Sequence, residues 1–177
     1  FSANLETVTA LGKAAADGFL ASGVLPVIKH MPGHGRAMVD SHLSLPVVET
    51  ALDALKNTDF EPFCTLNALP LGMTAHIVFT AIDADHPGTV SEKIIKDIIR
   101  DHMGFDGFLF SDDLSMEALD GAIEDRATNT LAAGADMPLP SALAHEQAMV
   151  SLTLDSADAH EGCSAFLEKR EATFNGT

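Results

Sequence analysis

The chain has 177 residues, 46% of them hydrophobic, enough to bury one sizeable core and too many for a disordered or low-complexity polypeptide. Ten basic residues against twenty-six acidic ones give a formal charge of −16. That charge repels phosphate backbones and anionic lipid surfaces, so neither nucleic acid nor a membrane is an expected partner.

In chain order, residues 4–22 place Leu5, Val8, Ala15 and Phe19 near helical spacing, with Asn4 as the cap and Gly23 as the stop. A strand VLPVI over 24–28 follows and runs into KHMPGHGRAMVDSH. A helix is expected over 49–65, with Leu52, Leu55 and Phe63 on one side, and then the strand GMTAHIVF over 72–79. Ser91 caps a third helix whose Ile94, Ile95, Ile98 and Ile99 form a wide apolar stripe, closed by Gly104. The strand GFLF (107–110) leads directly into SDDLSM, and a fourth helix over 121–133 stops at Gly134. A short strand ADMPLP (135–140) and a helix beginning near Ser141 complete the pattern, the two prolines arguing against a central strand.

Strands alternating with helices imply parallel pairing and right-handed crossovers. The polar motifs fall near strand ends: Lys29 and His30 after the first strand, His76 and Asp83 in and after the second, Asp112 and Asp113 after the third. A barrel brings such ends to one mouth, whereas an open sheet gathers them less well, and no GxGxxG or Walker-type loop points to a nucleotide. The expected class is therefore α/β of the (β/α)8 TIM-barrel type. The chain supplies about four βα units, the C-terminal half, as a single segment over 1–177.

Cys64 and Cys163 stand far apart with no zinc-like spacing, so reduced thiols and a cytoplasmic location are expected. The start, FSANLETV, has no basic region followed by an apolar one, and no run reaches the roughly 20 apolar residues of a spanning helix. Asn175-Gly176-Thr177 matches a glycosylation sequon by chance. The acidic residues Asp155, Asp158, Glu161, Glu168 and Glu171 read as a solvated helix face.

The densest chemistry lies in 29–42. His30, His34, Asp40 and His42 are competent metal ligands, but Pro32-Gly33 forbids the helix that would put His30 and His34 on one face, so no metal is expected. PGHG reads as a rigid bend, and His34 as a residue that hydrogen-bonds this bend. Asp40-Ser41-His42 can form a dyad in which the carboxylate fixes the imidazole tautomer and leaves the other nitrogen to shuttle a proton; a purely structural pair explains it as well. In Ser111-Asp112-Asp113, one carboxylate can face the barrel mouth as nucleophile or charge stabiliser while its neighbour ties down backbone; a solvated turn is the alternative. Met116 reads as a lid over the site, and His76 as a core histidine able to support it from behind.

Three stretches, KHMPGHGRAMVDSHLSLP (29–46), MTAH (73–76) and GFDGFLFSDDLSMEAL (104–119), resemble the bacterial β-N-acetylglucosaminidases of glycoside hydrolase family 3, NagZ type. The resemblance runs from near Phe1 to about Asp136. It implies a retaining exo-hydrolase in which Asp112 is the nucleophile, His42 the general acid/base and Asp40 the carboxylate that orients it. Lys29 and His30 would bind the N-acetylglucosamine unit, and PGHG would be the hinge that curls the loop over the site. The implied substrate is GlcNAc-anhydromuramic acid with or without peptide, processed in the cytoplasm during peptidoglycan recycling, with no cofactor. The family barrel is implied to begin upstream, where an acid and arginines also hold the sugar. Two alternatives stand beside this reading: an inactive carbohydrate-binding barrel fragment, and a metal-dependent hydrolase.

Overall fold

A computed structural model describes Ser2 and residues 4–39, 44–136 and 157–173. It divides into two compact units, residues 1–139 and 140–177.

The first unit opens with α1 (Leu5–Ala21), capped as expected: the Asn4 side chain accepts from the backbone N–H of Thr7 at 2.8 Å. The first strand, β1 (Val27–Met31), starts three residues later than VLPVI suggests. Pro26 has no N–H to give a ladder, so pairing begins only beyond it. Lys29 and His30 consequently sit within the strand and not after it.

The expected helix over 49–65 is two short helices, α2 (Leu52–Asn57) and α3 (Glu61–Thr65). Pro62 explains the break, because its ring would collide with the carbonyl of residue 58 in a continuous helix. The expected strand over 72–79 is likewise split, into β3 (Leu71–Thr74) and β4 (Val78–Phe79), with Ala75, His76 and Ile77 between them. A short β2 (Val47–Val48) pairs in parallel with β4.

After a 3-10 turn (Gly88–Val90) comes a π-helix, Ile94–His102. The Ser91 hydroxyl accepts from Ile94 N at 3.2 Å and its carbonyl from Ile95 N at 3.0 Å, as a cap should. In an i→i+5 helix a turn holds more than four residues, which draws positions four and five apart onto one face. Ile94, Ile95, Ile98 and Ile99 are at most 4% exposed. Gly23, Gly104 and Gly134, read as helix stops, all carry positive φ (77°, 68° and 106°). The unit continues with β5 (Phe108–Phe110) and α4 (Ile123–Ala132).

The main sheet is parallel with order β1-β3-β5. Leu71 stands opposite Val27 on one side and Phe108 on the other, and Gly72 opposite Ile28 and Leu109. The register then shifts: Ile28 pairs with Gly72 but Met31 with Thr74, so Lys29 and His30 together oppose Met73 alone. This bulge falls at the candidate site, where an extra residue re-aims side chains. The core behind the sheet gathers Met31, Leu55, Phe60, Ile77, Phe79, the four isoleucines, Phe105 and Leu109. The fold class is thus α/β with parallel strands. The backbone N–H of Asp136 donates to Leu109 O at 2.7 Å; the rest of the expected strand to 140 and the helix near Ser141 lie outside the described residues.

The second unit contains α5 (Ala157–Glu168). Of the acidic residues expected on a solvated face, Asp155 and the side chain of Asp158 lie outside the described residues, while Glu161 and Glu168 are paired. Arg170 grips Glu161 through two nitrogens and Glu168 through Nε, and Thr173 N donates to Glu161 at 2.9 Å. The Arg170 and Thr173 hydrogen bonds bring the Glu161 carboxyl down to about 2. The sequon at 175–177 and the side chain of Cys163 lie outside the described residues; Cys64 is free and half-buried. Among the described residues no helix is long and apolar enough to cross a membrane.

Packing at Gly72 yields a prediction. A Cβ there would sit 2.8 Å from Phe105 Cζ and 2.9 Å from Met31 Sδ, both in the closed core. Gly72→Ala should destabilise by about 1–3 kcal/mol, the usual range for overpacking, measurable by denaturant titration.

Candidate active site

The site is assembled at the C-terminal ends of β1, β3 and β5. His30 comes from the bulge in β1, and its Nε2 approaches Asp112 Oδ2, two residues beyond β5, at 3.4 Å. That is longer than a well-made charged hydrogen bond, so the contact between the two groups is a loose one. Both are partly open, His30 with 29% and Asp112 with 18% of its side chain exposed. His34 stacks near His30 in a tilted arrangement with ring centroids 5.4 Å apart. Lys29 is exposed beside it.

Burial pushes the His30 pKa below its ordinary value, against the pull of the Asp112 carboxylate; Lys29, His34 and His76 push it the same way as burial. A neutral imidazole results, with one nitrogen able to donate and one to accept, which suits a hydroxyl-rich ligand.

His76 lies under this pair at 1% exposure, in the gap between β3 and β4. Its Nε2 is 3.0 Å from the Asp113 carbonyl and its Nδ1 2.7 Å from the Thr89 hydroxyl, which is 2.8 Å from the Thr74 hydroxyl. A carbonyl only accepts, so Nε2 carries the proton and Nδ1 accepts from Thr89, whose oxygen in turn accepts from Thr74. Every proton in this chain is therefore assigned by one carbonyl. Burial lowers the His76 pKa, opposed by the Asp113 carbonyl and by the Asp112 and Asp113 carboxylates.

The loop after β5 is clamped twice more. Asp113 Oδ1 accepts from Ser115 N at 2.8 Å, so the second acid ties down backbone while the first faces His30. Arg126 of α4 donates to the carbonyls of Leu114 (2.6 Å), Met116 (3.0 Å) and Gly121 (3.0 Å). Met116 is buried at 5% exposure. Asp83, expected near the strand ends, has another job. It holds Ser91 Oγ at 2.7 Å and Asp85 N at 3.2 Å, and although burial works to raise its pKa, these bonds and His86 bring it down.

Asp40 and His42 lie outside the described residues. Thr74, Thr89 and Arg126 did not stand out in the sequence. The signals available were a threonine inside the apolar MTAH run and a lone arginine in the acidic start of α4. Among the described residues no group of three or more His, Cys, Asp or Glu is placed to hold a metal ion. Two clefts, of about 280 and 850 Å3, lie elsewhere: the first beside His86, Glu92 and Asn129, the second beside Gly33, Arg36 and Asp59. Neither is lined by His30 or Asp112.

The model of the glycosyl hydrolase family 3 N-terminal domain matches residues 1–161. The chain belongs to this family. A β-hexosaminidase of Tolumonas auensis is 38% identical over 146 residues, covering 78% of this chain and 43% of the relative. A family 3 β-N-acetylglucosaminidase structure from Paenibacillus sp. FPU-7 superposes with a TM-score of 0.72 at 35% identity, covering 75% of this chain and 26% of that one. NagZ from Neisseria gonorrhoeae, solved with N-trifluoroacetyl-D-glucosamine, gives a TM-score of 0.70 at 39% identity, covering 76% and 40%. The chain thus spans less than half the length of these family members.

The buried relay generates two expectations. Removing the imidazole in His76→Ala leaves the Asp113 carbonyl and the Thr89 hydroxyl without their partner, at a cost of about 1–3 kcal/mol by chemical denaturation. Because the folded-state pKa values of His30 and His76 lie below the unfolded value, the unfolded chain binds more protons as pH falls. Stability should be full above about pH 6.5 and decline as pH drops through the lowered values, and His76→Ala should flatten that decline.

Proposed function

We propose that the protein to which this chain belongs is a retaining exo-β-N-acetylglucosaminidase, and that the chain forms the C-terminal part of its (β/α)8 barrel. One observation carries the reading: Asp112 and His30 stand 3.4 Å apart at the ends of strands held in a common register, in a chain of glycosyl hydrolase family 3.

Lys29 and His30 hold the hydroxyls of the terminal GlcNAc. An Asp112 oxygen attacks C1 from one face, the bond from C1 to the glycosidic oxygen breaks, and His42 gives its proton to the departing oxygen. Water then attacks C1 of the covalent ester, His42 takes the water's proton, and the sugar leaves with Asp112 regenerated as carboxylate. Asp40 orients His42 and stabilises its charged form. An imidazole suits both half-reactions because its ordinary pKa, about 6.5, already lies near neutral pH. Asp113, through Ser115, and His76, through the Asp113 carbonyl, keep the Asp112 loop in place. No cofactor enters these steps.

The substrate we propose is the GlcNAc-anhydromuramic acid disaccharide with or without peptide, handled in the cytoplasm during peptidoglycan recycling. Support comes from the resemblance of 29–46, 73–76 and 104–119 to the NagZ type and from the names of the relatives. A second reading, in which the 177-residue chain alone binds sugar without turnover, is favoured by β1 forming a sheet edge among the described residues. Val27 at its start and Val24 and Leu25 just before it are exposed. Assay of the isolated chain separates the two.

In the full-length protein, Asp112→Ala should abolish release of the fluorophore from a β-GlcNAc glycoside while leaving the melting temperature within a few degrees of the parent. Undiminished turnover would reject Asp112 as the nucleophile.

A further inference from the structure

Asp59 sits in the break between α2 and α3. Its Oδ2 accepts from Arg36 Nε at 2.7 Å, while Arg36 Nη2 donates to the Thr58 hydroxyl at 3.1 Å. That hydroxyl also lies 2.7 Å from Asp59 Oδ2. Both glycines of PGHGR meet the same residue. A Cβ on Gly33 would lie 3.2 Å from the Cβ and from the carbonyl oxygen of Asp59, and one on Gly35 would lie 3.9 Å from its Oδ1. The turn after β1 therefore rests directly on one aspartate, at a distance that side chains at 33 would spoil.

Asp59 is itself held by the core. Phe60, next in the chain, is wholly buried; its N–H donates to Leu55 O at 3.0 Å and its ring meets Phe79 edge-on at 6.2 Å. Farther along, Val78 N donates to Pro46 O at 2.9 Å. The chain is thus tied at Arg36 and again at Pro46, and Asp40 and His42 fall between these ties in sequence. The Arg36 side chain is 41% exposed, so solvent screens the ion pair and its contribution to global stability is small. Placement is another matter, because an ångström of error in an acid's position costs rate.

We infer that Asp59 is a positioning residue for the acid/base step: it seats the PGHGR turn through Arg36 and the two glycines, and so sets where the chain toward Asp40 and His42 departs. It touches no substrate. The inference rests on the reading of His42 as the acid/base.

The test compares kcat/KM on two β-GlcNAc glycosides in the full-length protein, one with an alkyl leaving group and one with 2,4-dinitrophenolate. The first needs a proton as it departs and the second does not. Asp59→Ala should lose about tenfold or more on the alkyl glycoside, a fraction of the 10²–10⁴ that general acid catalysis supplies, and keep most of its rate on the dinitrophenyl one. The charge-exchanged pair Arg36→Asp with Asp59→Arg should recover part of that loss. Equal losses on both substrates, or none on either, would overturn the role. Should Asp59→Ala not fold, Asp59→Asn and Arg36→Ala must show the same selective loss. His42→Ala run in parallel tells the two failures apart. Selective loss there with none at Asp59 overturns the positioning role alone, whereas no selectivity in His42→Ala removes the acid/base reading and the inference with it.

Discussion

The common register of three parallel strands is the constraint on which the site depends. Val27, Leu71 and Phe108 stand in one row and Ile28, Gly72 and Leu109 in the next. A slip of one residue would turn each strand's core set to the opposite face, so burial of Met31, Leu109 and the isoleucines pins the rows. Gly72 lets Phe105 and Met31 close over the centre of the sheet where any side chain would intrude. With the rows pinned, His30 and Asp112 emerge from strands separated by β3 and still arrive 3.4 Å apart. The bulge is the one departure from strict pairing, and it lies at Lys29 and His30.

Below the site, a line of buried polar groups ties the sheet to the loop that presents Asp112. Thr74 ends β3, Thr89 belongs to the 3-10 turn, His76 lies in the gap after β3, and Asp113 follows β5. In a low-dielectric interior each of these groups would be costly alone, and linked they define one arrangement. Among the described residues no buried side-chain nitrogen or oxygen lacks a partner. The same burial that makes the line strong keeps His30 and His76 neutral. Negative charge at Asp112 then faces a hydrogen-bonding imidazole in preference to a fixed cation.

In a chain this acidic, the few arginines of the first unit are used as loop clamps. Arg126 collects three carbonyls from the segment after Asp113. Arg100 binds the carbonyls of Phe105 and Gly107 and the Asp136 carboxylate, which also receives Leu109 N. Arg36 ties the turn after β1 to Asp59. Each guanidinium offers several fixed donors, so one side chain can satisfy a loop whose backbone has no ladder to join.

From the residues alone, the alternation of helices and apolar strands, the Asn4 and Ser91 caps and the stops at Gly23, Gly104 and Gly134 were legible, because each is a local requirement of backbone geometry. So were the chemical motifs around His30 and Asp112, since turn-rich polar stretches after apolar runs stand out from the pattern. Boundaries that depend on neighbours were not. The start of β1 waited on what Pro26 denies the ladder, the helix over 49–65 on the ring of Pro62, and the break at His76 on a histidine whose partners lie 13 and 37 residues away. Tertiary structure alone decided that Lys29 and His30 share one place in the register, and that Arg36 and Asp59, 23 residues apart, form one anchor. Such pairings arise from distances through space, which spacing along the chain does not encode.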